Sequence, residues 1–269
     1  MAPLAKLTRV AHSTFVWGAS FTVMSGVVVF GGGLAPFIPF KHTHTRIGGP
    51  GMGACLKIAA QDVDIYYHPD FDPERRGVYC QNHVNLMDAH AACAAIPHAF
   101  CGMMNAWQFK IPVYGWIMTL ADGIPVPKQA SGRYEAVAQA ARDRADKGIS
   151  ILTFPEAHRT LDGGVRPFKR GVFFMARSAG LPVIPLATHG MFHLMRKGSF
   201  LINPAPVKIF VGPQIDTVGL DDDQIGELAD RMHAVVSAFS DTGEVPEEAL
   251  ARLQALPGEA RRAGDAPTA

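Results

Sequence analysis

Two segments of the chain carry polar side chains that could take part in chemistry. Residues 82–88 read Asn-His-Val-Asn-Leu-Met-Asp, so that His83 lies five positions before Asp88. Residues 154–160 read Phe-Pro-Glu-Ala-His-Arg-Thr and include Glu156 and Arg159. A histidine with a carboxylate partner can accept the proton of a hydroxyl, and an arginine fork can hold a phosphate. A base for an alcohol beside a clamp for a phosphate suggests acyl transfer onto a phosphorylated alcohol.

The spacing of His83 and Asp88 restricts where the pair can lie. On a continuous helix, a separation of five residues places two side chains about 140° apart, which is a poor angle for a hydrogen-bonded pair. We therefore expect His83 in a loop between a strand at 77–81 and an alanine-rich helix at 89–95. From that loop its ring can fold back onto Asp88 at the beginning of the helix.

Hydrophobic periodicity predicts strands that alternate with helices. The predicted strands are 62–68, 77–81, 149–154, 182–187 and 206–211, and the predicted helices are 89–95, 133–147, 168–179 and 221–240. Such alternation predicts an α/β fold, with a mixed and largely parallel sheet flanked by helices. Residues 46–53 are rich in glycine and predict a connector, and 54–60 predict a short helix lying on a membrane.

The N-terminal region predicts a membrane anchor. Residues 10–40 contain no Asp, Glu, Lys or Arg, and this run is longer than the about 20 residues that a helix needs to cross a bilayer core. We expect a helix over 12–30, followed by a bend after the glycines at 31–33, as a spanning or hairpin anchor. A cleaved signal peptide and a buried core helix are the alternatives. The predicted organisation is an anchor with its connector at 1–60, a catalytic domain at 61–257 and a disordered tail at 258–269.

Composition narrows the classes of partner and cofactor. A net charge of +1 gives no reason to expect nucleic-acid binding, and a charged fraction of 18% favours contact with a membrane. The four cysteines have no zinc-binding spacing and predict buried free thiols. HExxH, GxSxG and glycine-rich phosphate-loop motifs are absent from the sequence, so we expect no metal and no prosthetic group.

The two polar segments resemble the motifs of a known family. His83 and Asp88 match the HX4D motif of the glycerolipid acyltransferases, and residues 154–159 look like their FPEG(T/H)R motif. Residues 123–128 and 183–187 resemble two further blocks of that family in the same order. The similarity covers roughly residues 60–215, and the subgroup that the chain resembles most is the 1-acylglycerol-3-phosphate (lysophosphatidic acid) acyltransferases.

The resemblance implies a membrane enzyme whose catalytic domain faces the cytoplasm. It would move a fatty acyl chain from acyl-CoA or an acyl-carrier protein, as co-substrate, to the hydroxyl of lysophosphatidic acid. His83 would be the general base, and Asp88 would hold its tautomer. Arg159 would bind phosphate, Glu156 would bond glycerol oxygens or orient the arginine, and three further residues would contact substrate: Asn85, Lys128 and Thr160. Acylation of another lysolipid or an amino-lipid, thioester hydrolysis, and lipid binding without catalysis are the alternatives.

Three features depart from the family pattern or remain open. Lys128 stands where the family has arginine, which keeps the charge and loses the bidentate fork. Ala157 stands where glycine is usual, and we expect from this that the position needs no positive φ. An aromatic group near Lys110 is either an interfacial or tunnel-lining set or ordinary core, and core packing is expected for at least half of its members: Trp107, Phe109, Tyr114 and Trp116.

Overall fold

A seven-stranded sheet forms the centre of the computed structural model, which describes residues 3–34, 37–111, 114–127 and 133–255. The spatial order of its strands is β1-β7-β6-β2-β5-β3-β4. All neighbouring strands are parallel except β6 and β7. The predicted mixed, largely parallel α/β fold is therefore confirmed. The strands are β1 (Val63–Tyr67), β2 (Val78–Gln81), β3 (Phe100–Asn105), β4 (Ile124–Val126), β5 (Ser150–Thr153), β6 (Val183–His189) and β7 (Val207–Val211).

Helices cover both faces of the sheet. Between them, the described residues form π-helical segments at Val27–Gly31 and His44–Gly48 and a 3-10 segment at Ala106–Lys110. The α-helices are α1 (Pro3–Gly26), α2 (Gly32–Leu34), α3 (Phe40–Thr43), α4 (Gly49–Ala59), α5 (Asp88–Ala95), α6 (Tyr114–Leu120), α7 (Arg133–Asp146), α8 (Gly171–Ala179), α9 (Met191–Leu194), α10 (Asp222–Thr242) and α11 (Glu247–Gln254).

The central strands β2 and β5 are buried at every position, as expected for parallel strands covered on both faces. On one face, α7, α8 and α10 contribute Ala138, Phe173 and Met232 to the core. On the other face, α4 and α5 contribute Leu56 and Ala91. This double cover fixes the positions of the loops that leave the carboxyl ends of β2 and β5.

Helix α4 differs from the sequence expectation. The predicted glycine-rich connector at 46–53 is wrong, because the π-helical segment His44–Gly48 leads directly into α4, which runs from Gly49 to Ala59. Its glycines allow close packing on α5: a Cβ added at Gly53 would lie 3.1 Å from the Cα of Ala94. The predicted helix at 54–60 also does not simply lie on a membrane, since Leu56 and Ala59 are buried in the core. The four cysteines are free thiols, as predicted.

The N-terminal helix α1 is attached to the domain along one of its faces. Ser13 Oγ accepts a hydrogen bond from the backbone N–H of Ile202, and the indole N–H of Trp17 donates to the carbonyl of Phe200. By length and composition, residues 6–30 could cross a membrane, with a mean hydropathy of 1.5. The predicted helix at 12–30 is confirmed, because α1 continues beyond Gly26 as the π-helical segment Val27–Gly31, whereas the anchor function stays a prediction. The predicted disordered tail at 258–269 lies outside the described residues.

Candidate active site

The two polar segments meet at one edge of the sheet. His83 follows β2 and Glu156 follows β5, and these strands are parallel neighbours. Their carboxyl ends therefore lie side by side, at the edge where open α/β sheets commonly bind their ligands. Asn82 also ties this edge to β6, because its side-chain oxygen accepts the backbone N–H of Thr188 at 2.8 Å.

His83 and Asp88 form a hydrogen-bonded pair across a strand-to-helix junction. Nδ1 of His83 lies 2.8 Å from Oδ2 of Asp88, which is the first residue of α5. The same carboxylate oxygen accepts the backbone N–H groups of Val84 at 2.7 Å and Asn85 at 3.0 Å. The loop is thus wrapped around the carboxylate, and the predicted junction geometry is confirmed.

The surroundings of the pair favour one tautomer of the imidazole. Asp88 is buried, and burial raises the pKa of its carboxyl group, while the hydrogen bonds from His83, Val84 and Asn85 oppose that rise. A carboxylate acceptor requires the ring to carry its proton on Nδ1, which leaves the lone pair of Nε2 available. The His83 side chain is 23% exposed. Nε2 is therefore the atom that can accept a proton from a substrate.

The second motif holds the backbone of His83 from both sides. Oε1 of Glu156 accepts the N–H of His83 at 2.6 Å, and the N–H of Thr160 donates to the carbonyl of His83 at 2.8 Å. The other carboxylate oxygen of Glu156 accepts the N–H of Arg166 at 2.8 Å. The position of the imidazole therefore depends on the loop at 154–160.

Glu156 differs from its sequence interpretation. It was expected to bond glycerol oxygens or to orient the arginine, yet both of its carboxylate oxygens bind backbone N–H groups. Its side chain is buried, and burial raises the pKa of the carboxyl group against the effect of the two hydrogen bonds. In this arrangement Glu156 joins the His83 loop to the segment at Arg166.

The side chains of Asn85 and Thr160 also form hydrogen bonds with other groups of the protein. The amide of Asn85 donates to the carbonyls of Met191 and Met195, its oxygen accepts the N–H of Met87, and the residue is buried. The polar atoms of Asn85 thus bind protein groups, and its role in contacting substrate stays a prediction. The hydroxyl of Thr160 is likewise engaged within its own loop, since it donates to Asp162 and accepts from Gly163.

Arg159 remains the candidate for phosphate binding. It is half-buried, and its guanidinium group has no partner among the described residues. Nζ of Lys197 donates to the carbonyl of Arg159 at 3.0 Å, so a second cation lies beside it. The side chain of Arg166 is exposed nearby. Lys128, the other predicted phosphate ligand, lies outside the described residues.

Sequence reasoning missed the contribution of Phe154. Its ring is stacked on the imidazole of His83, with centroids 4.1 Å apart and an interplanar angle of 21°. This contact fixes the plane of the ring, while Asp88 fixes its rotation. Phe154 is the first residue of the second motif, but a lone apolar residue at the end of a strand gives no sign that it packs on the imidazole of a distant histidine.

The expectation for Ala157 is wrong. Ala157 has φ +65°, so the turn after β5 does require the left-handed region, which costs a residue with a side chain about 1–2 kcal/mol. In the aromatic group, Trp107 is 54% and Trp116 is 60% exposed and Phe109 is half-buried, so core packing for at least half of the group stays a prediction. The side chain of Tyr114 is not among those described.

A cavity of about 310 Å³ lies away from this site, between α4 and the end of α5. His44, Cys93 and His98 are among its lining residues, and neither the His83–Asp88 pair nor the 154–160 loop reaches it. His98 lies two residues before β3 begins, so this cavity lies near the amino ends of the parallel strands. The His83–Asp88 pair therefore lies at the opposite edge of the sheet from the cavity.

Comparison with known proteins gives a consistent picture. The model of the family described as Acyltransferase matches residues 62–189. A 1-acyl-sn-glycerol-3-phosphate acyltransferase of Limnanthes douglasii is 26% identical over 217 residues, which are 79% of this chain and 77% of that protein. A protein of the same name from Salmonella typhimurium is 24% identical over 211 residues, 78% of this chain and 85% of the relative. The crystal structure of the 1-acyl-sn-glycerophosphate (LPA) acyltransferase PlsC from Thermotoga maritima has the same fold, with a TM-score of 0.70, 20% identity, and coverage of 88% of this chain and 96% of that one.

Proposed function

We propose that this chain, an acyltransferase whose residues 62–189 match the family model of that name, acylates the free hydroxyl of lysophosphatidic acid to give phosphatidic acid. The observation that carries the proposal is the imidazole of His83, held by Asp88 and by the loop that bears Arg159. A base and a phosphate clamp on one loop system suit an acceptor that has both a hydroxyl and a phosphate. The names of the relatives from Limnanthes and Salmonella support the same acceptor.

In the proposed reaction, Nε2 of His83 accepts the proton of the acceptor hydroxyl while the hydroxyl oxygen attacks the thioester carbonyl of the donor. The new ester C–O bond forms, the C–S bond breaks, and the imidazolium returns the proton to the leaving thiolate. Asp88 keeps the proton on Nδ1 and stabilises the imidazolium, as the acid does in a hydrolase triad. The proposed reaction involves no acyl-enzyme, metal or prosthetic group.

The guanidinium of Arg159 would bind the acceptor phosphate, because a planar fork can make two hydrogen bonds to phosphate oxygens at once. The ammonium group of Lys197, bound to the carbonyl of the same residue, adds positive charge there. The acyl donor is acyl-CoA or an acyl-carrier protein. We further propose that the enzyme acts at a membrane, where its lysolipid acceptor resides, and that the catalytic domain faces the cytoplasm.

An acceptor panel tests the proposal. Detergent-purified protein would be supplied with an acyl thioester and with lysophosphatidic acid, a lysophospholipid with a substituted phosphate, or phosphate-free monoacylglycerol. The diacyl products would be quantified by mass spectrometry. We expect phosphatidic acid to form fastest. Equal use of monoacylglycerol would contradict the phosphate clamp, and free fatty acid released at the same rate without acceptor would indicate a thioesterase.

A further inference from the structure

Residues 191–203 lie outside both motifs, yet they contact the loops of both motifs and the N-terminal helix. They begin just after the residues that match the family model, and they comprise α9 and a turn at Gly198, which has φ +83°. The backbone N–H of Asn203 donates to the carbonyl of Leu194 at 2.8 Å, which closes this part of the chain into a loop. We call residues 191–203 the connecting segment.

The connecting segment holds the loops of both motifs. In the first motif, the side-chain amide of Asn85 donates to the carbonyls of Met191 and Met195. In the second motif, the carbonyl of Arg159 accepts a hydrogen bond from Nζ of Lys197 at 3.0 Å. An ammonium group has three N–H donors, and the other two of Lys197 have no partner in the part of the chain that the structure describes. They are therefore available to an anionic group of the acceptor.

A single peptide group joins Lys197 to the loop that bears the imidazole. The carbonyl of Arg159 accepts from Lys197, and the N–H of the same peptide group, which belongs to Thr160, donates to the carbonyl of His83 at 2.8 Å. A planar peptide group that is bound on both sides cannot rotate without breaking one of the two bonds, and hydrogen bonds in such a chain strengthen each other. Lys197 therefore fixes the backbone that bears the guanidinium group of Arg159 relative to His83.

The far end of the connecting segment is bound to α1. The indole N–H of Trp17 donates to the carbonyl of Phe200 at 2.7 Å, and the two rings meet edge to face with centroids 6.0 Å apart. Oγ of Ser13 accepts the N–H of Ile202 at 2.8 Å. Only residues 198 and 199 separate Lys197 from Phe200, so a displacement of α1 against the domain is transmitted to the ammonium group.

We propose that Lys197 is a positioning residue for Arg159 and a second cation for the acceptor phosphate, and that α1 sets the affinity for this phosphate through the connecting segment. The proposal rests on the proposed function, which assigns the phosphate to Arg159. While the segment is attached to α1, the ammonium group lies beside the backbone of Arg159 and offers further donors to the same phosphate. Without that attachment, Lys197 and the peptide group that it holds lose their fixed positions, so phosphate recognition weakens. His83 keeps its bonds to Asp88 and Glu156 in either case.

Substitutions of Lys197 test its effect on phosphate recognition. Lys197→Met removes the charge and the N–H donors and retains an unbranched side chain. We expect the KM for lysophosphatidic acid to rise at least about tenfold, as for the loss of a hydrogen bond to a charged group, with kcat nearly unchanged. Lys197→Arg keeps the charge and the donors and should recover most of this loss. Activity toward monoacylglycerol, which has no phosphate, should not change in either variant, and an equal loss with both acceptors would overturn the role of Lys197.

A double-mutant cycle tests the connection to α1. Trp17→Phe removes the hydrogen bond to Phe200 and keeps an aromatic ring, so the KM for lysophosphatidic acid should rise about fivefold, which corresponds to the loss of one neutral hydrogen bond. In the Lys197→Met background, the same substitution should have no further effect on KM, because the two residues act through one chain of contacts. Phe15→Leu changes a side chain of the same helix that is 63% exposed, and as the matched control it should leave KM unchanged. Additive effects of Trp17→Phe and Lys197→Met would contradict the proposal.

Amide hydrogen exchange of the detergent-purified, full-length protein tests the coupling without any substrate. Ser13→Ala combined with Trp17→Phe removes both hydrogen bonds between α1 and the connecting segment. We expect faster exchange at 199–203 and also at 158–162 in this variant, whereas in Lys197→Met only 158–162 should exchange faster. Unchanged exchange at 158–162 in the Ser13→Ala, Trp17→Phe variant would overturn the coupling. Because no acceptor is present, this result is independent of the proposed function, which fails if the wild type shows no preference for lysophosphatidic acid over monoacylglycerol.

Discussion

Replacement of Glu156 by glutamine distinguishes a carboxylate that shapes the site from one that binds the acceptor. The two carboxylate oxygens of Glu156 accept the N–H groups of His83 and Arg166. Glutamine offers a single oxygen, so one of these N–H groups loses its acceptor, at a cost of about 1–3 kcal/mol. Burial already disfavours the ionised carboxyl group, whose pKa is raised, and the neutral amide avoids that penalty. We therefore expect the free energy of unfolding to fall by about 1 kcal/mol, which leaves the protein folded.

The kinetic effect of Glu156→Gln should be much larger than the effect on stability. The substitution releases one restraint on the His83 loop, and a displacement of about 1 Å at a catalytic group can cost about 100-fold in rate. We expect kcat to fall by about that factor, with the KM for lysophosphatidic acid nearly unchanged. Steady-state kinetics with Glu74→Gln, which removes an exposed carboxylate elsewhere, provide the control. A raised acceptor KM with unchanged kcat would refute the reasoning and indicate that Glu156 binds substrate directly.

Because the pKa of Glu156 is raised, the difference in unfolding free energy between the wild type and Glu156→Gln should depend on pH. A carboxyl group whose pKa is raised in the folded state contributes stability below its ordinary pKa and loses it as the pH rises through the raised value. The wild type therefore loses this contribution on going from acid to neutral pH, whereas the glutamine variant does not. The difference in unfolding free energy between the two should narrow as the pH rises, as measured by denaturant titration.

Three further substitutions have distinct expected outcomes. Ala157→Gly should raise the free energy of unfolding by about 1 kcal/mol, because φ +65° costs alanine energy that glycine avoids; a lower melting temperature would contradict this. Phe154→Leu removes the ring stacked on His83. It should lower kcat by about tenfold, which corresponds to the upper end of the free energy of one aromatic contact. An effect on acceptor KM alone would argue against that positioning role. Arg159→Lys keeps the charge and loses the fork, so the KM for lysophosphatidic acid should rise about tenfold, while activity toward monoacylglycerol should not change; equal losses for both acceptors would exclude phosphate recognition by Arg159.

The central part of the fold was predictable because its strands are apolar and bounded by turn residues. The missed elements lack those signals. Strand β3 reads Phe-Cys-Gly-Met-Met-Asn, with a glycine and no alternation, and β4 has three residues with a central proline at the edge of the sheet. Helix α4 begins with a run of glycines that predicts a connector, and only its packing against Ala94 explains them.

The contact between His83 and Asp88 was predictable from spacing, because only a junction lets His83 reach Asp88. The functions of Glu156 and Asn85 were not, since their partners are backbone groups of distant residues. These partners are the N–H of Arg166 and the carbonyls of Met191 and Met195. Because backbone groups of this kind occur in almost every residue, the sequence does not indicate which of them will be bound. Motif membership therefore identified which side chains matter without revealing which of them remain free for substrate.

The most direct test of the account is thiol release from an acyl thioester, measured with and without lysophosphatidic acid for the wild type and for His83→Ala. His42→Ala, which removes another exposed imidazole, is the matched control. We expect acceptor-dependent release by the wild type, with one thiol for each diacyl product, and a loss of about 10³–10⁴-fold in His83→Ala. Acceptor-dependent release that persists in His83→Ala would contradict the assignment of His83 as the base.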